Sequence, residues 1–443
     1  MTNKPLMVNS FDPAKTSELD SDLARLIERR SKVLGPSYKL FYDEPIHFVR
    51  GKGVRLYDAD GIEYLDAYNN VPSVGHCHPR VVEAQAKQAS ILNTHTRYLS
   101  EVVLTYAERL TATFPDPLTS AMFTCTGSEA NDLAFRIAQT HTGNTGLIVS
   151  SNGYHGITSA VAEASPSLGQ QVPLGHHVRT VDLPDPYSDQ SFGAESCFAA
   201  NVESAIDDMA RHGIRPAAIV FDTIFSSDGI FTHPPGFVKK GVELVRKAGG
   251  LFIADEVQPG FSRTGDTMWG FQRHGVTPDI VTLGKPMGNG MPIAGVVADP
   301  NTLALFGRTA RYFNTFGGNP VCCAAALAVL DVIRDESLQE NSQRVGKYLI
   351  DGLRQIAAQD ERIGYVRGAG LFIGVDFVKH DNGIPKPDPK AGLAMVNRLR
   401  EQRVLIGASG THGHVLKIRP PLPFSMSDAD EFLNKTTKAL QNL

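Results

Sequence analysis

Short apolar segments alternate with amphipathic segments between residues 80 and 335, and the apolar segments end at polar residues. These ends are Thr124, Ser150, Asp222, Asp255 and Thr282. Such alternation is typical of βα units, which form a mainly parallel sheet because each helix returns the chain across the sheet. Ligands of these folds bind beyond the carboxyl ends of the strands. The pattern therefore predicts an α/β fold with its functional site at these strand ends.

The chain is predicted to have three parts. Residues 1–65 form an N-terminal arm and hairpin that pack with the small domain, residues 66–335 form the large domain, and residues 336–443 form a smaller α/β C-terminal domain. Alternation around a turn at Asp60-Gly61 predicts the hairpin. The polar stretch from His380 to Asp388 is predicted to be a loop.

Composition narrows the possible partners and location. The 443 residues carry a net charge of -4, which gives no basic field for nucleic acid or an anionic membrane surface. There is no apolar run of about 18 residues and no apolar leader within the first 20 residues, so neither a membrane span nor a secretory signal is expected. Five cysteines without paired spacing indicate reduced thiols and a cytoplasmic location. The tight His76-Cys77-His78 spacing does not favour a metal site.

Lys285 is the strongest candidate for a reactive side chain. It lies in a Gly-rich segment directly after an apolar run, and Asp255 ends another apolar run thirty residues upstream. An enzyme that uses pyridoxal phosphate (PLP) needs this pair, because the lysine forms the Schiff base and the acid keeps the pyridine nitrogen protonated. The ordinary alternatives are a surface lysine and a solvated acid. Glycines and an apolar Met-Pro segment around Lys285 favour the functional interpretation.

Three further segments fit the same cofactor. Gly127 and Ser128 follow an apolar strand and open a helix, whose free N–H groups suit a phosphate, although an ordinary helix cap is the alternative. Tyr154 stands in a Gly-flanked loop and could stack on a cofactor ring, although taken alone its position favours an ordinary core or surface aromatic. Val257 shares a strand face with Asp255 and could lie against the flat side of that ring.

Five motifs together resemble those of the class III aminotransferases, which are PLP enzymes of fold type I. They are TGSEAN (126–131), YHG (154–156), ADEVQ (254–258), GKPMGNG (284–290) and NTFGGNP (314–320). The resemblance implies a large PLP-binding domain with a mainly parallel, seven-stranded sheet. It implies Lys285, Asp255 and Tyr154 as catalytic residues. The cofactor-binding residues that it implies are Gly127, Ser128, Tyr154, His155, Asp255, Val257, Gln258, Lys285 and Thr315.

Two of these roles concern the edge of the site. By the resemblance, Gln258 reaches the phenolic oxygen of the cofactor, and Thr315 reaches the cofactor phosphate of the neighbouring subunit. The second role implies a homodimer with shared active sites.

Within the class, one subgroup is the most similar. Residues 68–71, 75–79, 92–99 and 311–315 are similar to those of the ethanolamine-phosphate phospho-lyases, which convert O-phosphoethanolamine to acetaldehyde, ammonia and phosphate. The resemblance implies a phosphorylated amine as substrate, with Asn70, Arg97 and Lys417 as candidate substrate residues. Lys417 stands where class III transaminases usually carry an arginine for the substrate carboxylate, and a lysine binds carboxylates less well because it lacks the planar fork. Arg97 could instead be a surface charge.

Three functional hypotheses remain open. The first is a phospho-lyase acting through Lys285. The second is an omega-aminotransferase that moves an amino group from an amine or omega-amino acid to pyruvate or glyoxylate, with the same lysine. The third is a non-catalytic regulator with a PLP fold, which the intact Lys285 and Asp255 disfavour.

Overall fold

The computed structural model of the chain describes residues 7, 9–184 and 193–443. The α-helices of the described residues are α1 (Ser21–Val33), α2 (Pro79–Ala89), α3 (Glu101–Thr111), α4 (Gly127–Thr142), α5 (Ser159–Ala162), α6 (Ala194–Arg211), α7 (Lys239–Lys247), α8 (Pro300–Thr309), α9 (Pro320–Asp335), α10 (Leu338–Ala357), α11 (Pro389–Glu401) and α12 (Met426–Gln441). The strands are β1 (Phe48–Lys52), β2 (Arg55–Asp58), β3 (Glu63–Asp66), β4 (Ser120–Thr124), β5 (Gly146–Ser150), β6 (Val178–Val181), β7 (Pro216–Asp222), β8 (Leu251–Asp255), β9 (Ile280–Leu283), β10 (Ala294–Ala298), β11 (Ile363–Ala369), β12 (Phe372–Asp381), β13 (Ile384–Pro387), β14 (Val404–Leu405), β15 (Gly407–Ser409) and β16 (Val415–Ile418).

A seven-stranded sheet forms the centre of the described structure, in the order β4-β10-β9-β8-β7-β5-β6. Strands β6, β5, β7, β8 and β9 are parallel to one another, whereas β10 runs antiparallel to both of its neighbours. The predicted α/β fold with a mainly parallel sheet is therefore confirmed. Strands β6 and β10 lie outside the sequence prediction.

Burial on both faces explains the composition of the central strands. All five residues of β5 and the first six of β7 are buried, as expected of parallel strands covered by helices on both sides. Helix α4 covers one face and buries the small and branched side chains that recur at helical spacing, from Ala130 to Ala138. A capping box fixes where α4 begins, because the hydroxyl of Thr126 accepts the N–H of Glu129 and the Glu129 carboxylate accepts the N–H of Thr126.

The N-terminal hairpin is present as predicted, with β2 and β3 antiparallel across the turn at Asp60-Gly61. Strand β3 also pairs in parallel with β14 from the C-terminal part of the chain. A second C-terminal sheet has the order β11-β12-β16-β15, and we call it the C-terminal sheet. The division into residues 1–65, 66–335 and 336–443 stays a prediction.

The prediction of a loop from His380 to Asp388 is wrong. Strand β12 continues to Asp381 and pairs with β13, so this segment is a β-hairpin. Asn382 and Gly383 both have positive φ (51° and 79°), which is the backbone of a two-residue hairpin turn. The hairpin is exposed over much of its length, so its strands lack the apolar alternation that a half-buried strand shows.

Among the described residues, no helix combines the length and the apolar character that crossing a membrane would require.

Candidate active site

A pocket lies at the carboxyl ends of the parallel strands, where the sequence places it. Its lining contains eight of the nine predicted cofactor residues, all except Thr315. The lining residues are Gly127, Ser128, Tyr154, His155, Gly156, Asp222, Asp255, Val257, Gln258 and Lys285.

Asp255 is held in place by donors on both carboxylate oxygens. Oδ2 accepts the side-chain amide of Asn131 at 3.0 Å and contacts Nδ1 of His155 at 2.8 Å, while Oδ1 accepts the N–H of Val257 at 3.1 Å. Asn131 is fixed in turn by the hydroxyl of Thr282, which donates to its carbonyl oxygen at 2.8 Å. Asp255 and His155 are both buried. This network presents a rigid carboxylate to the pocket.

Lys285 follows the end of β9 and reaches the same pocket. Burial lowers the pKa of Lys285 to about 8, and the positive charge of Arg419 adds to the shift. Within the described parts of the chain, its ammonium group makes no hydrogen bond or ion pair. A lysine with a pKa near neutrality and no partner is suited to act as a nucleophile and a base.

The start of α4 leaves two backbone N–H groups available. The capping box satisfies the N–H of Glu129, whereas those of Gly127 and Ser128 have no protein partner in the described structure. A side chain at Gly127 would lie 3.1 Å from the methyl groups of Val257, so glycine keeps this approach open. Free N–H groups at a helix start suit a phosphate.

Gly156 is required for the shape of the pocket. It has a φ of 146°, and a Cβ there would come within 2.4 Å of the Ser128 hydroxyl. That hydroxyl accepts the N–H of Ile157 at 3.1 Å, which ties the loop after Tyr154 to the start of α4. The Tyr154 ring is half-buried, and burial raises the pKa of its hydroxyl, with the charge of Asp255 contributing.

Gln258 is hydrogen-bonded at both ends of its amide. Its NH2 group donates to Ser226 Oγ at 2.6 Å, and its carbonyl oxygen accepts from the guanidinium of Arg419. Asn70, a predicted substrate residue, is buried and donates to the backbone carbonyl of Gln258 at 3.0 Å. The carbonyl oxygen of the Asn70 side chain is buried without a partner among the described residues.

Lys417 is buried close to the pocket, with only 8% of its surface exposed. Burial lowers its pKa well below the ordinary value, the charges of Arg419 and Lys285 lower it further, and that of Asp222 opposes them. Its ammonium group has no hydrogen-bond partner in the described structure. Burial without a hydrogen-bonded partner is unfavourable for a cation, so an anion bound beside Lys417 would stabilise its charged form.

Two predicted residues lie outside this chain's own pocket. Arg97 is exposed, and its guanidinium stacks 3.8 Å from the ring centre of Phe313. Thr315 is also exposed, two residues farther along the same loop. Neither residue lines the pocket that contains Lys285.

The predicted site did not include five residues that shape it. Asn131 and Gly156 stand inside the recognised motifs, and Arg419 stands two residues after Lys417 on the same strand face, so a local signal existed for these three. Ser226 and Asp228 act through contacts between distant segments, and no local pattern reveals such contacts.

The donors and acceptors of this pocket fit PLP. Two free N–H groups suit its phosphate, the carboxylate of Asp255 suits its ring nitrogen, and the amine of Lys285 lies in the same pocket. His155 has a second ring nitrogen that is buried without a partner in the described structure, which fits a polar network that a ligand extends.

Comparison with known proteins decides the family. Residues 41–440 match the family model described as aminotransferase class-III. The chain belongs to this family. The cofactor of this class III enzyme is therefore pyridoxal 5'-phosphate.

Three similar proteins illustrate the range of the family. The Drosophila melanogaster protein named alanine–glyoxylate aminotransferase 2-like is 40% identical, over 92% of this chain and 85% of its own length. The Caenorhabditis elegans ethanolamine-phosphate phospho-lyase homolog 1 is 36% identical, over 94% of this chain and 93% of its own. A phospholyase from Arthrobacter, solved in complex with phosphoethanolamine, is 44% identical with a TM-score of 0.91 and covers 94% of this chain and 100% of its own.

Proposed function

We propose that this enzyme is a phospho-lyase that eliminates phosphate and ammonia from O-phosphoethanolamine. Water is consumed, and the products are acetaldehyde, ammonia and inorganic phosphate. The observation that carries the proposal is Lys417, a buried lysine whose ammonium group has no hydrogen-bond partner among the described residues. By the resemblance, it stands where class III transaminases usually carry an arginine. The similarity to the Arthrobacter phospholyase supports it.

Lys285 and Asp255 have separate roles in the proposed reaction. When bound, PLP supplies an electron sink conjugated to the substrate nitrogen. Lys285 removes the proton from the carbon next to that nitrogen, since its lowered pKa leaves far more free amine near neutral pH than an ordinary lysine has. Asp255, held by Asn131 and His155, keeps the ring nitrogen protonated.

Lys417 provides the phosphate end of the substrate site. We infer that its ammonium group binds the phosphate of O-phosphoethanolamine and offsets the charge that grows as the carbon–oxygen bond breaks. A bound phosphate would also restore the counter-charge that this buried lysine lacks. The substrate has no carboxylate, so the planar fork of an arginine is not needed at this position.

The deciding experiment supplies purified enzyme with PLP and O-phosphoethanolamine and no keto acid. We expect phosphate and acetaldehyde to appear in equal amounts over many turnovers. Ethanolamine without phosphate is the matched control substrate and should give no acetaldehyde. No phosphate release, with alanine formed when pyruvate and an amine are supplied, would replace the phospho-lyase with a transaminase.

Replacing Lys417 separates substrate binding from the cofactor chemistry. We expect Lys417→Met to raise KM for O-phosphoethanolamine by about 10- to 100-fold, the usual effect of losing a hydrogen bond to a charged group. The matched variant Lys417→Arg keeps the positive charge and should retain most of the affinity. Steady-state kinetics of both variants check this, and an unchanged KM in Lys417→Met would remove Lys417 from the substrate site.

An omega-aminotransferase is the second candidate. The Drosophila relative named as an aminotransferase favours it, because that protein is 40% identical over nearly the whole chain. Both reactions use Lys285 as the base on the same carbon, so the two functions diverge only after that step. A transaminase would in addition require pyruvate or glyoxylate as the acceptor of the amino group.

We also propose a homodimer with shared active sites. Thr315 and Arg97 lie outside this chain's pocket, and the adjacent surface exposes large apolar side chains, including Leu99 (94%) and Phe316 (69%). Exposed apolar patches of this kind mark interfaces. Within such a dimer, Thr315 contacts the cofactor phosphate of the other subunit.

Light scattering of the purified protein tests the dimer. A mass of about twice 48.0 kDa is expected, and Thr315→Ala should weaken PLP binding without changing that mass. A monomer with full activity would contradict the shared site.

A further inference from the structure

Residues 222–231 connect the pocket to the C-terminal sheet, and we call them the Asp222 loop. The loop leaves the end of β7, and Asp222 and Asp255 are paired across β7 and β8. Asp222 anchors the first turn, because its two carboxylate oxygens accept the N–H groups of Ile224 and Ser226 at 3.0 and 3.1 Å. The loop therefore starts beside the catalytic carboxylate.

One side of the loop holds the segment that carries Tyr154. The carboxylate of Asp228 accepts the N–H of Asn152 at 2.9 Å and the hydroxyl of Ser150 at 2.8 Å. The side chain of Asn152 returns a bond to the carbonyl of Ser227 at 2.6 Å. Three hydrogen bonds thus connect the loop to the residues just before Tyr154.

The other side of the loop is fastened to the C-terminal sheet. The guanidinium of Arg367 in β11 donates to the carbonyls of Gly229 and Ile230, with Nε at 3.0 and 2.7 Å, and it pairs with Asp376 of β12 at 2.8 Å. The hydroxyl of Ser409 in β15 donates to the carbonyl of Ser226 at 2.7 Å, the same residue whose side chain contacts Gln258. Arg367 and Asp376 are both buried.

The backbone of the loop is strained. Phe225 and Ile230 have φ values of 51° and 69°, a left-handed conformation that bulky and β-branched side chains rarely adopt. Such conformations persist only where the surrounding structure holds them. Contacts on both sides of the loop supply that constraint.

We propose that the Asp222 loop is a positioning device that transmits the placement of the C-terminal sheet to the cofactor pocket. Asp228 is its contact with the Tyr154 segment, and Arg367 is its anchor on the sheet. Both are positioning residues that act through Tyr154 and Gln258. The proposal requires only that the pocket binds PLP, so it stands for a lyase and a transaminase alike.

The first test replaces Asp228 by alanine. We expect the dissociation constant of PLP to rise at least about tenfold. The visible circular dichroism of the bound cofactor should also change, because Tyr154 is no longer held in one place. The matched control is Asp182→Ala, since exposed Asp182 accepts the hydroxyl of Ser151 but lies outside the loop. The control should keep both properties, and an Asp228→Ala variant that also keeps both would overturn the proposal.

A double-mutant cycle tests the connection to the sheet. Arg367→Lys keeps a positive charge beside Asp376 but lacks the fork that reaches two carbonyls. The dissociation constant of PLP should rise in this variant. In the Asp228→Ala/Arg367→Lys double variant, the fold-increase in this constant should be smaller than the product of the two single-variant increases, because both residues act through one loop. Effects that multiply would overturn the proposal. If Arg367→Lys does not fold, Ser409→Ala takes its place in the cycle under the same criterion.

Discussion

Replacement of Lys285 by alanine is expected to abolish turnover, with kcat lowered by at least about 10⁴-fold. Two functions are lost at once, namely the amine that forms the covalent link to PLP and the base that removes the substrate proton. We do not expect Lys417, the other buried lysine near the pocket in the described structure, to replace it, because its Nζ lies over the ring of Phe372 in β12, 5.8 Å from the ring centre.

The pH dependence of the wild-type enzyme provides a second measure of the same residue. Because burial lowers the pKa of Lys285 to about 8, its free amine increases as the pH rises through this value. We expect kcat to rise with pH with a midpoint near pH 8 and to level off above it, whereas an unperturbed lysine would place the midpoint at about 10.4. For the Lys285→Ala variant, the matched control is Lys239→Ala, which removes a lysine at an exposed position and should leave turnover unchanged. Full activity in Lys285→Ala would remove this residue from the mechanism.

The change Asp255→Asn is expected to lower kcat by about 10³-fold. An ion pair at about 4 Å with an effective dielectric constant of about 20 contributes about 4 kcal/mol, which corresponds to that factor in rate. The amide also cannot match the site, because the side-chain amide of Asn131 donates to one oxygen of Asp255 and the backbone N–H of Val257 donates to the other. One NH2 group would face a donor in either orientation. PLP should therefore bind weakly as well as react slowly.

Steady-state rates and PLP titration of the Asp255→Asn variant measure both effects. Asp279→Asn is a matched control, because Asp279 also accepts a strand N–H, that of Phe252, but lies at the opposite end of the sheet. The control should keep near-normal rates and reveal any general cost to folding. Near-normal rates in Asp255→Asn would refute its role at the ring nitrogen.

The meeting of the candidate cofactor residues in one pocket was predictable because these residues stand next to strong local signals. Asp255 and Lys285 follow buried strands, and Gly127 and Ser128 open a helix with a capping box. The carboxyl ends of parallel strands meet at one edge of a sheet, so separate motifs converge without further information. The need for glycine at position 156 is evident only from the structure, because it arises from the close approach of Ser128.

The substrate side was less predictable. The side-chain NH2 group of Asn70 donates to the backbone carbonyl of Gln258, and the guanidinium of Arg97 stacks on Phe313 at the surface. Both side chains thus have protein partners that the sequence does not reveal. Only Lys417 lies among the charges of the pocket, and its pKa is lowered first by burial and then by the charge of Arg419. This burial exists only once the chain has folded. The hairpin after β12 was missed for a related reason, because polar residues on both of its faces conceal the strand period.

The amino-acid sequence by itself determined the α/β fold, the family, the cofactor and the residues that stand at strand ends, because these depend on local period and on short motifs. Only the tertiary structure decided which residues support them. Arg419 reaches Gln258, Asp228 holds the Tyr154 segment, and Arg367 fastens the Asp222 loop to the C-terminal sheet. These contacts join residues that are far apart in the chain, and their formation depends on how the sheets and loops pack.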